Sequence, residues 1–172
     1  MLFSKKMNAA INQQICYEFS AMLQYVAIGS HFTGESLREL AGHFYKQAEE
    51  ERDHAMRFIK YVLDAGGRVE IPDIPAPQNK FHNTEEAIKL SLDQEKNVTD
   101  QINRLVELAI KESDHISQNA LGWFVNEQLE EVSSMEKLLK VVQRAGESNL
   151  LYVEDYLTRR ARGTEISQPK SS

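Results

Sequence analysis

Acidic side chains stand in this sequence where apolar ones are expected. Read on alternating steps of four and three, the stripe Ile11, Ile15, Met22, Tyr25 and Gly29 is interrupted by Glu18. Glu51 interrupts Leu37, Leu40, Phe44, Ala48, Ala55, Phe58 and Val62, and His54 follows it by one helical turn, facing nearly the same way. Glu95 breaks the run Ile88, Leu92, Val98, Ile102 and Leu105, while Glu127 and Glu131 break Ile116, Ala120, Phe124, Met135, Leu138 and Val142. One buried carboxyl can be neutralised by a raised pKa or by an arginine. Four or five at one level repel one another severely in a low dielectric. No Lys or Arg occupies these stripes at the same height, so a multivalent metal is the economical source of compensating charge. Oxygen ligands with one imidazole suit iron or manganese best, with zinc also allowed by ligand type.

The elements that must bring these acids together are long helices. Gly and Pro cluster at Gly66, Gly67, Pro72, Pro75 and Pro77, and the other stretches run far without proline. Helices are expected over about 4–32, 36–65, 83–112 and 114–145, with Gly66 and Gly146 as stops and Asn83 or Thr84 as an N-cap, then a shorter fifth helix over 148–160. The link from Gly66 to His82 can run the length of a bundle when extended, which allows the second and third helices to be parallel; the alternative is a partly disordered linker between two hairpins. The fold class is therefore all-α, a four-helix bundle with one long crossover. Residues 1–162 form one domain, and 163–172 a polar tail. Glu18 precedes Glu51 by 33 positions and Glu95 precedes Glu127 by 32, so the two hairpins look like diverged copies of one unit.

Composition narrows the class further. A chain of 172 residues, 41% hydrophobic and 27% charged, reads as one folded globular domain. A net charge of −6 gives no general attraction to nucleic acid or to anionic membranes. No apolar run approaches a membrane span, and the single cysteine, Cys16, excludes an internal disulfide, so a cytoplasmic protein is expected. His31, His43, His82 and His115 have no carboxylate at metal-ligand spacing on a matching stripe and are read as surface or capping residues. Trp123 and Phe124 are read as packing residues.

Carboxylate-bridged diiron bundles carry one Glu from each of two helices and a Glu-x-x-His turn from each of the other two. Glu51-Arg52-Asp53-His54 meets that rule, whereas the matching turn Glu127-Gln128-Leu129-Glu130 has no histidine. Taken together, Tyr17-Glu18, Tyr25, Glu50-Glu51-x-x-His54, Glu95 and Asn126-Glu127-Gln128 resemble the ferritin family over about residues 4–160. The resemblance implies a ferritin four-helix bundle with a short fifth helix, a hollow homo-oligomer of about 24 subunits, oxidation of iron(II) by O2 or H2O2 at a diiron centre, and storage of ferric mineral inside. It assigns Glu18, Glu51 and His54 to the first metal, and Glu51, Glu95 and Glu131 to the second. Gln128 would hydrogen-bond nearby. Glu50, Glu127, Glu130 and Glu131 resemble a third, peripheral iron site, and Tyr25 resembles a one-electron donor beside the centre.

Departures from the family carry information as well. Haem-binding relatives are expected to carry His at Glu130 and a ligating Met at Arg52, so the resemblance is to the non-haem kind. Gln118 and Leu121 stand where animal ferritins place the acids of their three-fold pore. The rival reading by residue chemistry is another diiron-carboxylate protein such as a rubrerythrin-like peroxidase, though a rubrerythrin adds a Cys-rich segment. A second rival is a structural bundle whose inner acids are neutral or paired.

Overall fold

The computed structural model describes residues 1–167, with side chains to 161, and among these it contains five α-helices and no strand. Helix α1 (Lys5–Gly34) begins where the Ser4 hydroxyl accepts from the Met7 amide, and α3 (Thr84–Lys111) where the Asn83 side chain accepts from the Glu86 amide. Helices α2 (Arg38–Asp64) and α4 (His115–Ala145) are stopped by Gly66 at φ 74° and Gly146 at φ 72°, a left-handed backbone that a Cβ disfavours. A 3₁₀ turn, Glu147–Asn149, leads into α5 (Leu150–Ser167). That helix continues beyond the expected end at residue 160 and takes in the first part of the expected polar tail. The rest of the tail, 168–172, lies outside the described residues.

The segment between α2 and α3 is held along α1 by side-chain amides. The Asn8 and Asn12 side chains donate to the Arg68 carbonyl at 3.0 and 2.8 Å, and the Glu70 amide donates to Asn12 Oδ1 at 3.0 Å. Further on, Cys16 Sγ donates to the Asp73 carbonyl at 3.4 Å, while Gln24 and Gln78 exchange two bonds at 2.9 and 2.8 Å. Rising numbers on α1 meet rising numbers on the link, so the chain travels parallel to α1. It delivers α3 to the far end, where Phe81 meets His31 with ring centroids 5.2 Å apart. At the other end the Ser4 hydroxyl donates to Glu112 at 2.7 Å. Helices α2 and α3 therefore run in the same direction, which is the expected crossover.

The turn before α5 and α5 itself clip the bundle. Both oxygens of Glu154 accept from the first amides of α2, those of Glu39 and Leu40, at 2.8 and 2.9 Å. Glu147 accepts from the amide and hydroxyl of Thr84 at 2.9 and 3.0 Å at the start of α3. Each acid satisfies orphan donors and faces the positive end of a helix dipole.

The core is split in two. One cluster contains Tyr25, Phe32, Phe44, Ile88 and Leu138; the other contains Met7, Ile15, Phe58, Ile102, Leu121 and Phe124. Between them lies a level where buried residues are acidic or amide-bearing, with Glu18, Glu51 and Glu95 each 1% exposed.

The inward stripe of α4 departs from the sequence reading near its start. Ile116 is half exposed, Ala120 and Glu127 are only partly buried, and the inward positions are Ser117, Leu121, Phe124, Gln128 and Glu131. The Ser117 amide donates to the capping carboxylate of Asp114, and its hydroxyl bonds the Tyr61 hydroxyl at 2.7 Å. Polar residues with fixed partners fill two inward positions, and a pattern based on apolarity shifts by one residue there.

Candidate metal centre

Four helices contribute to the acidic level. Glu18 comes from α1, Glu51 and His54 from α2, Glu95 from α3, and Gln128 and Glu131 from α4; all are buried. His54 Nδ1 lies 3.4 Å from Glu51 Oε2 and 4.0 Å from Glu18 Oε2. Ligand atoms of Glu18, Glu51 and His54 fall within 4.8 Å of one another, and so do those of His54, Glu127 and Glu131. One ion at roughly 2 Å from each donor bridges such a spacing with small adjustment.

The oxygens that face inward lack partners. Glu18 Oε2 and Glu51 Oε2 are buried without a hydrogen bond among the described residues, although Glu18 Oε1 accepts from Gln14 Nε2 at 2.9 Å. An unpaired buried carboxylate oxygen is costly, and a cation supplies what is missing. On the other side of the level, Tyr25 donates its hydroxyl to Glu95 Oε1, and Gln128 Nε2 donates to the Glu95 carbonyl at 3.1 Å, to Glu95 Oε2 at 3.3 Å and to Thr99 at 3.1 Å. Glu95 is thus held in one orientation with its carboxylate aimed across the bundle.

Proton affinities follow from this crowding. Burial, then the charge of Glu51, holds Glu18 well above the ordinary carboxyl range. Burial, then Glu95, does the same to Glu51. Burial raises Glu95 while the Tyr25 and Gln128 hydrogen bonds oppose it. Glu131 is pushed up to about 8 by burial and by the charges of Glu95 and Glu50. Burial and the surrounding acids raise Tyr25 well above the usual phenol value. Without metal, the level holds protons that a cation would displace.

The peripheral acids lie to one side. Glu50, Glu127, Glu130 and Glu131, with Gln47, line a cavity of about 560 Å³ between α2 and α4, closed on one side by α5. Glu130 is exposed, Glu50 and Glu127 are half-buried, and Gln47 donates to Glu50. Of these four acids only Glu127 and Glu131 share a compact group with an imidazole.

Three positions differ from the sequence reading. His43, expected at the surface or as a cap, is partly buried; its Nε2 has no hydrogen-bond partner among the described residues, and its ring packs edge-on against Phe44. Burial, then the charges of Arg160 and Lys46, pushes its pKa down to about 4. Leu121, which stands where animal ferritins place a pore acid, is 1% exposed inside the core. Gln14 was absent from the reading. Its position beside Glu18, one helical turn away, was the available signal.

The fold and the level of buried acids define a carboxylate-rich four-helix bundle with a long crossover and a candidate metal site. The sequence model of the ferritin-like domain family matches residues 8–145, and the chain belongs to the ferritin family, the iron-storage proteins. It is 44% identical over 169 residues to ferritin BfrB of Mycolicibacterium smegmatis, covering 97% of this chain and 93% of that one. It is 34% identical over 153 residues to the bacterial non-heme ferritin of Staphylococcus haemolyticus, covering 88% and 92%. Among solved structures, an open-pore ferritin of the hyperthermophilic archaeon Archaeoglobus fulgidus superposes with a TM-score of 0.88 at 32% identity, covering 91% of this chain and 96% of that chain. Among the described residues no helix is long and apolar enough to cross a membrane.

Proposed function

We propose that this chain is a ferroxidase, oxidising iron(II) with O2 or H2O2 at a diiron centre inside each subunit and passing ferric product into a hollow homo-oligomer of about 24 copies. The observation that carries the reading is the pair of buried, unpartnered oxygens on Glu18 and Glu51, set beside His54 Nδ1. Glu18, Glu51 and His54 hold the first iron; Glu51, Glu95 and Glu131 hold the second, with Glu51 as bridge. Gln14 and Gln128 keep Glu18 and Glu95 turned inward by the bonds described above. Hard anionic oxygens stabilise iron(III) more than iron(II), which lowers the potential and makes electron transfer to the oxidant downhill. The ferric product leaves for the interior, so the centre turns over.

Glu50, Glu127, Glu130 and Glu131, around the cavity beside the centre, act as a third, peripheral iron site on the way to the interior. Tyr25 serves as a one-electron donor through its bond to Glu95. With Arg52 and Glu130 in place of Met and His, the centre works without haem, in the cytoplasm, and residues 1–162 constitute the functional domain.

The test is stopped-flow absorbance of iron(II) oxidation with sizing of the particle. Glu18→Ala and His54→Ala lose the rapid phase while particle size stays that of the parent, and the parent loads many irons per chain. Unchanged initial rates in both variants would refute the assignment. A structural bundle with neutral inner acids would load no iron at all.

A further inference from the structure

Two oxidisable aromatic side chains flank the acidic level, and their surroundings differ. Tyr25 is fully buried and donates to the Glu95 carboxylate. Trp123 is the single tryptophan of the chain. Its indole meets the His54 imidazole edge-on, with centroids 5.5 Å apart and planes at 78°. On Trp123 sits Arg57, one turn beyond His54 on α2, with its guanidinium carbon 3.8 Å from the ring centroid.

Oxidation of two iron(II) ions supplies two of the four electrons that reduce O2 to water. The remaining oxidising equivalents draw on whatever side chain gives an electron most readily. Loss of an electron by Tyr25 is accompanied by transfer of its hydroxyl proton to Glu95, a base already in contact. Loss of an electron by Trp123 creates a positive ring face to face with a fixed cation: the cation–π attraction present in the reduced state is forfeited and becomes repulsion.

Resting on the proposed ferroxidase reading, we propose that Arg57 insulates Trp123 against one-electron oxidation, so that electrons drawn from the protein at this centre come from Tyr25. The suppressed step is loss of one electron from the indole to partly reduced oxygen, with the ring N–H proton released to water. Arg57 is exposed and touches no proposed ligand, so its removal leaves iron binding intact.

The experiment compares the parent with Arg57→Met, which keeps the aliphatic stem, and Arg57→Lys, which keeps the charge. Each is taken through repeated additions of iron(II) under O2, and Trp123 is followed by fluorescence and by peptide mass spectrometry. The expected result is loss of Trp123 about two- to fivefold faster per iron oxidised in Arg57→Met, the size of an exposed cation–π interaction, with initial iron oxidation rates unchanged and Arg57→Lys close to the parent. A second arm exposes the metal-free proteins to azide radical generated by pulse radiolysis and reads the indolyl radical directly. It is expected to give the same order. Equal radical formation in the parent and Arg57→Met overturns the insulation, as does an Arg57→Lys protein as vulnerable as Arg57→Met. A parent that oxidises no iron instead defeats the proposed function, and the radical arm still decides the role of Arg57.

Discussion

Tyr25 on α1 donates its hydroxyl to Glu95 on α3, so one hydrogen bond ties the two hairpins together at the level of the inward carboxylates. It joins a phenol that is 0% exposed to an acid that is 1% exposed, and it lowers the proton affinity of Glu95 against the opposing pull of burial.

Tyr25→Phe removes that donor without opening a cavity. Glu95 then becomes a weaker acid, less readily ionised to bind metal. Because hydrogen bonds to charged groups contribute about 1.5–3 kcal/mol, affinity at the second metal position falls by about tenfold or more. A Co(II) or Zn(II) titration should show one tight and one weakened equivalent where the parent shows two tight ones. Two unchanged affinities would remove Tyr25 from any role in holding Glu95.

Metal binding must expel protons. At neutral pH Glu131, pushed up to about 8, holds its proton in the metal-free chain, and burial with neighbouring acids shifts Glu18 and Glu51 in the same direction. Affinity for Zn(II) is therefore expected to rise steeply with pH up to about 8 and to flatten above it as Glu131 ionises unaided. Calorimetry in two buffers of different ionisation enthalpy reads the protons released. A binding heat independent of buffer at pH 7 would mean that the acids are already ionised.

The same shift acts on stability in the opposite sense. A carboxyl whose folded pKa lies near 8, against an ordinary value of 4.5, binds its proton more tightly folded than unfolded. Its contribution is complete below the unfolded pKa and is lost as pH rises through the folded one. The melting temperature of metal-free protein is expected to fall between about pH 5 and pH 8.5, and Glu131→Gln, which cannot ionise, should flatten that fall. A parent and variant with parallel pH profiles would show that Glu131 does not carry the effect.

Much of this arrangement was legible in the sequence because charge in an apolar stripe is a contradiction that a folded chain must resolve. Glu18, Glu51, Glu95 and Glu131 stood out for that reason, and His54 by its spacing from Glu51. Ser117 and Gln14 did not stand out as inward residues, and Gln128 did so only through the family resemblance, since a polar side chain satisfied by a partner leaves no mark on a hydrophobic pattern. Asn12 and Gln24 were hidden in the same way. Their partners are carbonyls and amides of a crossover 54 or more positions away, and periodicity reads only local spacing. His43 was misjudged because burial there comes from the packing of α5 over the α2–α4 cavity, a tertiary contact.

The closure by α5 yields the last prediction. Glu154 accepts from the amides of both Glu39 and Leu40, two donors of α2 that have no partner within their own helix, and its negative charge faces the positive end of that helix. Glu154→Ala leaves both amides to whatever water reaches them, and loss of such a cap costs about 1–2 kcal/mol. For a chain of this size that corresponds to a fall of roughly 2–8 °C in the melting temperature of the metal-free protein. Glu154→Gln, which retains one acceptor oxygen but no charge, should recover part of the loss, because hydrogen bonding and helix-dipole attraction contribute separately. Glu154 bonds the start of α2 and none of the candidate ligands, so on the proposed function rapid iron oxidation should survive in both variants at temperatures below the transition. A Glu154→Ala protein that melts with the parent would show that the amides find equivalent partners without the fifth helix. One that melts normally but oxidises iron slowly would instead tie the fifth helix to the cavity beside Glu50 and Glu131, and the two results are separated by differential scanning calorimetry and stopped-flow absorbance on the same preparation.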